Sequence, residues 1–259
     1  MSVTAFRHFG QLAADSYGVI DERPPLVFLH GLGFDRGQWG PVLGELASID
    51  PQRRAIAFDL PGHRDSFDAD SYDLRDVADL VHEAISEADL GAAPLVVGHS
   101  LGGVLATAYA GKYPVEAVVN IDQPLLVGPF GDVLRRLEPV LRSPSYGEVW
   151  DQMLAGMHIE LLPPEARELV RSSTPPGRHL MLGYWREVLT RTADELAAER
   201  TRDLQSIGSY HYVTGAEPPP LYREWLEAAT PGVTITVLPN SGHFPHLAHP
   251  RTVAEILAD

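Results

Sequence analysis

The sequence predicts an α/β fold: a mostly parallel central β-sheet flanked by helices, with a helical insertion. Short apolar runs alternate with helical periods over most of the chain, an order typical of a parallel sheet covered on both faces. One interval, residues 123–206, has helical stretches and no convincing strand. The length of 259 residues and the hydrophobic content of 44% are enough for one domain with a sizeable core.

The core elements are predicted from local pattern. Strands are indicated where short β-rich apolar runs end at turn-forming residues. They are Leu26–Leu29, Ala55–Phe58, Leu95–Val97, Val118–Ile121, Tyr210–Val213 and Thr234–Leu238. Helices are predicted at Gln38–Ala47, Leu74–Ala88, Leu101–Lys112 and from about Pro250. The second of these helices has one apolar face and follows possible caps at Ser71 and Asp73.

The helical insertion is expected to lie over one end of the sheet. Its predicted helices are Asp132–Leu141, Tyr146–Met157, Glu165–Arg171, Arg178–Leu189 and Asp194–Arg202. Several prolines are expected to stop these helices, because proline lacks a backbone N–H donor and clashes with the preceding turn. They are Pro139, Pro144, Pro163-Pro164 and Pro175-Pro176.

Charge and cysteine content disfavour several classes of function. The formal charge of −15 would repel nucleic acid and anionic membranes. Without cysteine, the chain has no disulfide and no thiolate nucleophile. The uncharged stretch Leu90–Gly111 could span a bilayer by length, but its five glycines and Pro94 favour a buried strand, turn and helix. We expect a soluble, cytoplasmic protein, monomeric or homodimeric, that acts on a small molecule.

The segment from Gly98 to Gly102 reads Gly-His-Ser-Leu-Gly and matches the pattern G-x-S-x-G. It directly follows a predicted strand and precedes a helix of small residues. A sharp turn there would place Ser100 in strained dihedrals at a helix N-terminus, where developing negative charge is favoured. The alternative is an ordinary Ser/Gly turn in a strand–turn–helix unit.

A serine nucleophile needs a base, and His243 is the leading candidate. Its loop follows the last predicted strand and can reach back over the strand ends. His30 and His99 lie beside tight turns, and we predict structural roles for them. His246 and His249 continue a spacing of three, but Pro245 interrupts a regular helix and no carboxylate is interleaved. We therefore expect no metal site and no cofactor.

The loop His30-Gly31-Leu32-Gly33 follows the first predicted core strand. The backbone N–H groups of Leu32 and Leu101 could together form an oxyanion hole for a tetrahedral intermediate. The alternative for this loop is a tight turn without a ligand. The segment Asp59-Leu60-Pro61-Gly62-His63 reads as a structural turn at another strand end.

These motifs, with Trp39 and Ser241-Gly242-His243, occur in the order found in the α/β-hydrolase fold. Over residues 20–259 the chain resembles the single-domain serine esterase, haloperoxidase-like and C–C hydrolase members of that family. The resemblance implies that residues 123–206 form a cap on a core made of 1–122 and 207–259. It also implies Ser100 as nucleophile, His243 as base, and Leu32 and Leu101 as oxyanion donors. Arg64 stands where the family usually has glycine.

The resemblance leaves two carboxylates for the third member of a triad. The family usually supplies it from the loop after the strand predicted at Tyr210–Val213, where this chain has Glu217. Another group of members supplies it from the end of the preceding core strand, where this chain has Asp122. We favour Glu217, because its loop precedes the His243 loop at the family's usual spacing. Either would fix the imidazole tautomer.

A serine in the nucleophile position favours an acyl-enzyme route, and so hydrolysis of a carboxylic ester, thioester or lactone. A C–C bond hydrolase or cofactor-free lyase on the same fold is the enzymatic alternative. A hydrolase-like ligand-binding sensor is the non-enzymatic one. The substrate pocket is expected to be mostly apolar. Its candidate lining residues are Phe34, Trp39, Leu126, Trp150, Met153, Met157, Tyr184 and Trp185.

Overall fold

The computed structural model describes residues 5–259 and contains one eight-stranded sheet. The strands are β1 (Ala5–Phe9), β2 (Leu12–Tyr17), β3 (Leu26–Leu29), β4 (Ala55–Phe58), β5 (Leu95–His99), β6 (Ala117–Ile121), β7 (Tyr210–Thr214) and β8 (Thr234–Val237). Their order in the sheet is β1-β2-β4-β3-β5-β6-β7-β8. From β4 to β8 all neighbours are parallel, whereas β2 is antiparallel to both β1 and β4. The sheet is therefore mostly parallel, as predicted.

Twelve α-helices are present among the described residues. They are α1 (Gly40–Ile49), α2 (Leu74–Ala88), α3 (Leu101–Ala110), α4 (Gly128–Leu141), α5 (Tyr146–Ala155), α6 (Pro164–Arg171), α7 (Arg178–Tyr184), α8 (Arg186–Thr190), α9 (Ala193–Gln205), α10 (Pro220–Ala229), α11 (Pro245–Ala248) and α12 (Pro250–Ala258). Short 3-10 turns occur at Arg36–Trp39 and Ile159–Leu161.

Helices cover the sheet on both faces and form two apolar clusters. One cluster joins α2 and α3 to the sheet through buried residues such as Val77 and Leu105. The other joins α1 and α12 to the opposite face, with Leu46 and Val253 fully buried. Every residue of β3 and β4 is buried. Such strands read as continuous apolar runs because water reaches neither of their faces.

The strands predicted from the sequence begin at Leu26 and omit β1 and β2, which form an antiparallel pair at one side of the sheet that the apolar runs do not reveal. Four of the five residues of β1 are exposed, and it includes Arg7 and His8. An edge strand with solvent on one side needs no continuous apolar run. Residues 1–4 of the expected core segment 1–122 lie outside the described residues. In residues 5–259 no helix combines the length and apolarity that a bilayer crossing requires.

Helices α4 to α9 fill the chain between β6 and β7, as the pattern predicts for residues 123–206. The expectation that Pro139 stops a helix is wrong, because it lies inside α4. It falls in the last turn, and α4 ends two residues later. Pro164 begins α6, where its missing N–H has no intrahelical partner to lose. At α9, Thr192 and Glu195 form a reciprocal capping box.

Candidate functional site

The turn between β5 and α3 holds Ser100 at φ 52° and ψ −120°. This positive φ is a strained conformation for a residue with a side chain. Glycine on both sides permits it: a Cβ on Gly98 would collide with the Gly102 carbonyl, and one on Gly102 with the Leu29 carbonyl. Ser100 N donates to Ile121 O at 3.1 Å, which anchors the turn to the end of β6. The expected sharp turn is therefore present.

The loop after β8 brings His243 to a carboxylate at the end of β6. His243 Nδ1 donates to Asp122 Oδ2 at 2.8 Å. The other oxygen, Oδ1, accepts from Thr214 Oγ1 and Gly215 N, both at 2.9 Å. Burial acts to raise the pKa of Asp122, but the hydrogen bond and charge of His243 and the two further donors outweigh it, so the pKa is lowered. Asp122 is thus held as an oriented carboxylate.

Glu217 does not contact His243, and the preference for it is wrong. Its side chain is 74% exposed and binds Arg223 at 2.8 Å on the first turns of α10. The loop after β7 leads directly through prolines into that helix, which carries Glu217 away from the histidine. Asp122 has φ 53° at the end of the neighbouring strand and turns its carboxylate to His243 instead.

His99 connects the serine turn to the histidine loop. It is fully buried, and its Nε2 donates to the backbone carbonyl of His243 at 2.7 Å. Burial holds the pKa of His99 well below its ordinary value, so the ring stays neutral. The ring of His246 packs 4.4 Å from that of His99, centroid to centroid. The structural role expected for His99 agrees with this geometry.

The three histidines at a spacing of three face different surroundings. His243 binds Asp122, His246 is buried against Trp39, and His249 Nε2 contacts Pro239 O at 2.8 Å. In the part of the chain that the structure describes, no group of three His, Asp or Glu side chains is arranged to hold a metal ion.

Two buried histidines fix the loop that contains Leu32. His30 Nδ1 donates to the neighbouring Gly31 carbonyl, and its Nε2 accepts from Leu60 N at 2.9 Å. His63 Nε2 accepts from Gly33 N at 3.1 Å. Burial lowers the pKa of His30 to about 4 and that of His63 to about 3, so both remain neutral acceptors. Leu32 therefore lies in a loop tied to the turn after β4.

That turn is stabilised by a buried ion pair. Asp59 accepts from the backbone N–H of Arg36 at 2.8 Å and also binds the Arg36 guanidinium. Arg64, where the resembling family usually has glycine, adopts φ 45°. Its guanidinium binds Asp35 at 2.9 Å. The turn thus keeps a left-handed residue although a side chain is present there.

Ser100 and His243 line one cavity of about 920 Å³ between the strand ends and the helices that follow β6. Leu32 and Leu101 line it as well. Six of the eight expected pocket residues are in its wall: Leu126, Trp150, Met153, Met157, Tyr184 and Trp185.

Phe34 and Trp39 are the two pocket predictions that are wrong for this cavity. Phe34 is buried between the rings of Trp150 and Phe244. Trp39 has no exposed surface and packs against Phe28 on the face of the sheet that α1 and α12 cover. Neither lines the cavity, because both rings are enclosed by neighbouring side chains.

One wall of the cavity, formed by α4, was not predicted from the sequence. Phe130, Val133, Leu134 and Leu137 line it. They recur at i, i+3, i+4 and i+7, so helical periodicity was the signal that could have found them. Glu187 and Arg200, two charged residues in the wall, carried no comparable signal.

A family model described as the alpha/beta hydrolase family matches residues 26–256. Over 119 residues the chain is 37% identical to 1-acylglycerol-3-phosphate O-acyltransferase ABHD5 of Homo sapiens, covering 43% of this chain and 31% of that protein. Over 128 residues it is 35% identical to (Lyso)-N-acylphosphatidylethanolamine lipase of Mus musculus, covering 48% of this chain and 35% of the relative. The matches thus span about a third of these relatives' length.

Solved structures are similar over nearly the whole chain. A hydrolase from Pseudomonas aeruginosa superposes with a TM-score of 0.75 at 20% identity, covering 95% of this chain and 92% of that one. A thermophilic esterase from Thermogutta terrifontis gives 0.72 at 23%, covering 95% and 91%. For E-2-(acetamidomethylene)succinate hydrolase the values are 0.73 and 19%, with coverage of 98% and 97%. At these identities the likeness establishes the fold.

Proposed function

Because the chain belongs to the alpha/beta hydrolase family, we propose that it is a serine hydrolase that cleaves a carboxylic ester, thioester or lactone. The observation that carries this proposal is the shared cavity of Ser100 and His243. Ser100 lies at the edge of this cavity and has the positive φ of a strained turn. His243 has its far ring nitrogen bonded to the partly buried carboxylate of Asp122 at 2.8 Å. A carboxylate-bound imidazole that can reach a serine hydroxyl is able to activate it.

In the proposed reaction, Ser100 Oγ attacks the substrate carbonyl carbon while His243 Nε2 accepts the hydroxyl proton. Asp122 stays ionised and stabilises the imidazolium that forms. The backbone N–H groups of Leu32 and Leu101 donate to the developing oxyanion. The intermediate then collapses, its C–O or C–S bond breaks, and His243 returns the proton to the leaving group.

The second half of the reaction uses water in place of the hydroxyl. His243 takes a proton from a water molecule, which attacks the acyl carbonyl, and the ester bond to Ser100 breaks. The proton returns to Ser100 Oγ and the acid product leaves. Preorganised donors act strongly here because the cavity is largely apolar, and removing one typically lowers the rate about 10²–10³-fold.

We also propose that residues 123–206 act as a cap over a core formed by 1–122 and 207–259. Support comes from the position of α4 to α9, which lie between β6 and β7 in the chain. Side chains from α4, α5 and α7 line the cavity opposite the strand ends, among them Leu137, Met153 and Tyr184. A wall built from inserted helices can exclude water from the acyl-enzyme.

The test is covalent labelling with a fluorophosphonate, combined with hydrolysis of p-nitrophenyl acetate. Wild type and the control Ser145→Ala, which removes an exposed hydroxyl before α5, are expected to react equally. Ser100→Ala is expected to lose labelling and about 10⁴-fold or more of the rate, with little change in melting temperature.

Other outcomes would redirect the proposal. Turnover of a vinylogous diketone without turnover of esters would favour a C–C bond hydrolase. Tight ligand binding without labelling of Ser100 would favour a sensor. Labelling at a different serine would contradict the assigned nucleophile.

A further inference from the structure

The cavity wall contains an ion pair that the proposed chemistry does not use. Glu187 and Arg200 line the cavity, and their side chains are only 12% and 4% exposed. They belong to a distal ion cluster of six residues on α2, α8 and α9 and the loop between the last two. Its members are Arg75, Glu187, Arg191, Glu199, Arg200 and Asp203.

The distal ion cluster lies well away from Ser100 along α3. Arg75 Nη1 donates to the carbonyl of Ala108 at 2.8 Å, and Arg75 also binds Asp203. Ala108 is eight residues beyond Ser100 in the chain, which is about 12 Å at about 1.5 Å per helical residue. Because the cluster contacts α3 about two turns beyond Ser100, we take the separation between Ser100 and the charged groups in the same cavity wall to be on the order of 10 Å.

Within the cluster, the guanidinium of Arg200 has several carboxylate partners, whereas the carboxylate of Glu187 has one hydrogen-bond donor. Arg200 Nη1 binds Glu199 at 2.9 Å and lies 3.5 Å from Asp203. Among the described residues, the carboxylate of Glu187 accepts one hydrogen bond, from Arg200 Nη2 at 3.3 Å. An ionised carboxylate has about four acceptor sites. Glu187 therefore keeps acceptor capacity in a largely apolar cavity.

We propose that Glu187 and Arg200 form a subsite for a neutral hydrogen-bonding group, a hydroxyl or an amide, at the far end of an apolar substrate chain. The inference rests on the proposed function for the position of the scissile carbonyl at Ser100. A neutral group of this kind donates to Glu187 and can accept from Arg200. The subsite would select substrates that are apolar in the middle and polar at the end.

The charge balance of the cluster favours a neutral group over an ion. Among the described residues, the cluster has three carboxylates and three guanidinium groups. It therefore has no excess charge that would pair with an anionic or a cationic ligand. An unpaired buried charge is strongly unfavourable. A wholly apolar chain end is also disfavoured, because it would remove water from Glu187 without replacing its hydrogen bonds.

The distance sets the chain length of the ligand. An extended chain advances about 1.2 Å per bond, taking a three-bond peptide repeat of about 3.6 Å. A span on the order of 10 Å therefore corresponds to about eight bonds between the reacting carbonyl carbon and the terminal oxygen. An 8-hydroxyoctanoyl group has this length.

The experiment compares binding of 8-hydroxyoctanamide and octanamide by calorimetry. Wild type is expected to bind 8-hydroxyoctanamide about tenfold tighter than octanamide. The same preference is expected for the control Glu168→Leu, which removes an exposed carboxylate on α6. Glu187→Leu is expected to lose this preference. In wild type, the preference is expected to vanish for the four-carbon pair, 4-hydroxybutanamide and butanamide, because these ligands cannot reach Glu187. This comparison uses wild type alone and so does not depend on the folding of a variant.

Equal binding of the two eight-carbon ligands to wild type, or no binding of either, would overturn the subsite. So would a preference that survives in Glu187→Leu or is equally strong at four carbons. Hydrolysis of p-nitrophenyl octanoate by wild type is measured in parallel. Its absence would count against the proposed function, whereas hydrolysis with equal binding would count against the subsite alone.

Discussion

The loops at the strand ends and the helices α4 to α9 contribute to the site in different ways. The loops hold polar groups by hydrogen bonds. Asp122 accepts from three donors, and His99 donates to the backbone carbonyl of His243. The helices supply mainly apolar wall residues, such as Leu137 and Met153, whose contacts are not directional. From this difference we expect substitutions in the loops to affect mainly the rate of the proposed reaction, and substitutions in the helices to affect mainly which ligand fits.

After Ser100 itself, the largest effect is expected at the carboxylate that binds His243. Asp122→Asn is expected to lower kcat about 10³–10⁴-fold, because an amide cannot hold the same imidazole tautomer or stabilise the imidazolium. Glu217→Gln is the matched control, because the Glu217 side chain is 74% exposed. It is expected to change kcat less than twofold. Steady-state kinetics with a p-nitrophenyl ester measures both. A larger loss in Glu217→Gln would return the acid role to that loop.

A smaller effect is expected at His99, which acts through His243 and does not contact substrate in the proposed reaction. His99→Leu removes the donor to the His243 carbonyl and is expected to lower kcat about 10–100-fold with little change in KM, since misplaced catalytic groups lose rate steeply. His99→Gln keeps an N–H at a similar position and is expected to recover most of the rate.

Fluorophosphonate labelling rates and melting temperatures separate this positioning role from general destabilisation. The control is His82→Leu, at a half-buried ring stacked 3.7 Å from Tyr113, which follows the C-terminal end of α3. Equal rates for His99→Leu and wild type at equal stability would show that the bond does not position the base.

The smallest effect on rate is expected in the cavity wall. Met153→Ala is expected to change kcat/KM for a short ester less than tenfold, because the side chain lines the cavity and a flexible wall tolerates substitution. The preferred acyl chain is expected to become longer, since volume is added. A series of p-nitrophenyl esters of increasing length measures this. A uniform loss of about 10³-fold at every length would break the distinction between loops and helices.

Local pattern was sufficient for the buried core elements. The structure confirms β3, β4 and α2 with the predicted bounds, because a buried strand is continuously apolar and α2 has a strong apolar face. The strands β1 and β2 were missed, since β1 is an exposed edge strand and β2 is a strand of mixed composition that pairs antiparallel with both β1 and β4. Pro139 was misjudged as well, because it lies in the last turn of α4 and the helix continues two residues beyond it.

The candidate site was predicted in part. The turn at Ser100 follows from glycine spacing, because only glycine avoids the backbone collisions on either side. The choice between Asp122 and Glu217 could not follow from spacing along the chain. Both loops end near the same edge of the sheet, and the outcome depends on which carboxylate turns toward His243.

The sequence by itself determined the order of the elements from β3 onward, the serine turn and the histidine loop, since each depends on residues close together in the chain. Only the tertiary structure decided the partner of His243, the exclusion of Trp39 from the cavity, and the meeting of Glu187 with Arg200. Hydrogen bonds and ion pairs require atoms a few ångströms apart with a defined direction. That condition is met by the packing of distant segments, which local periodicity does not encode.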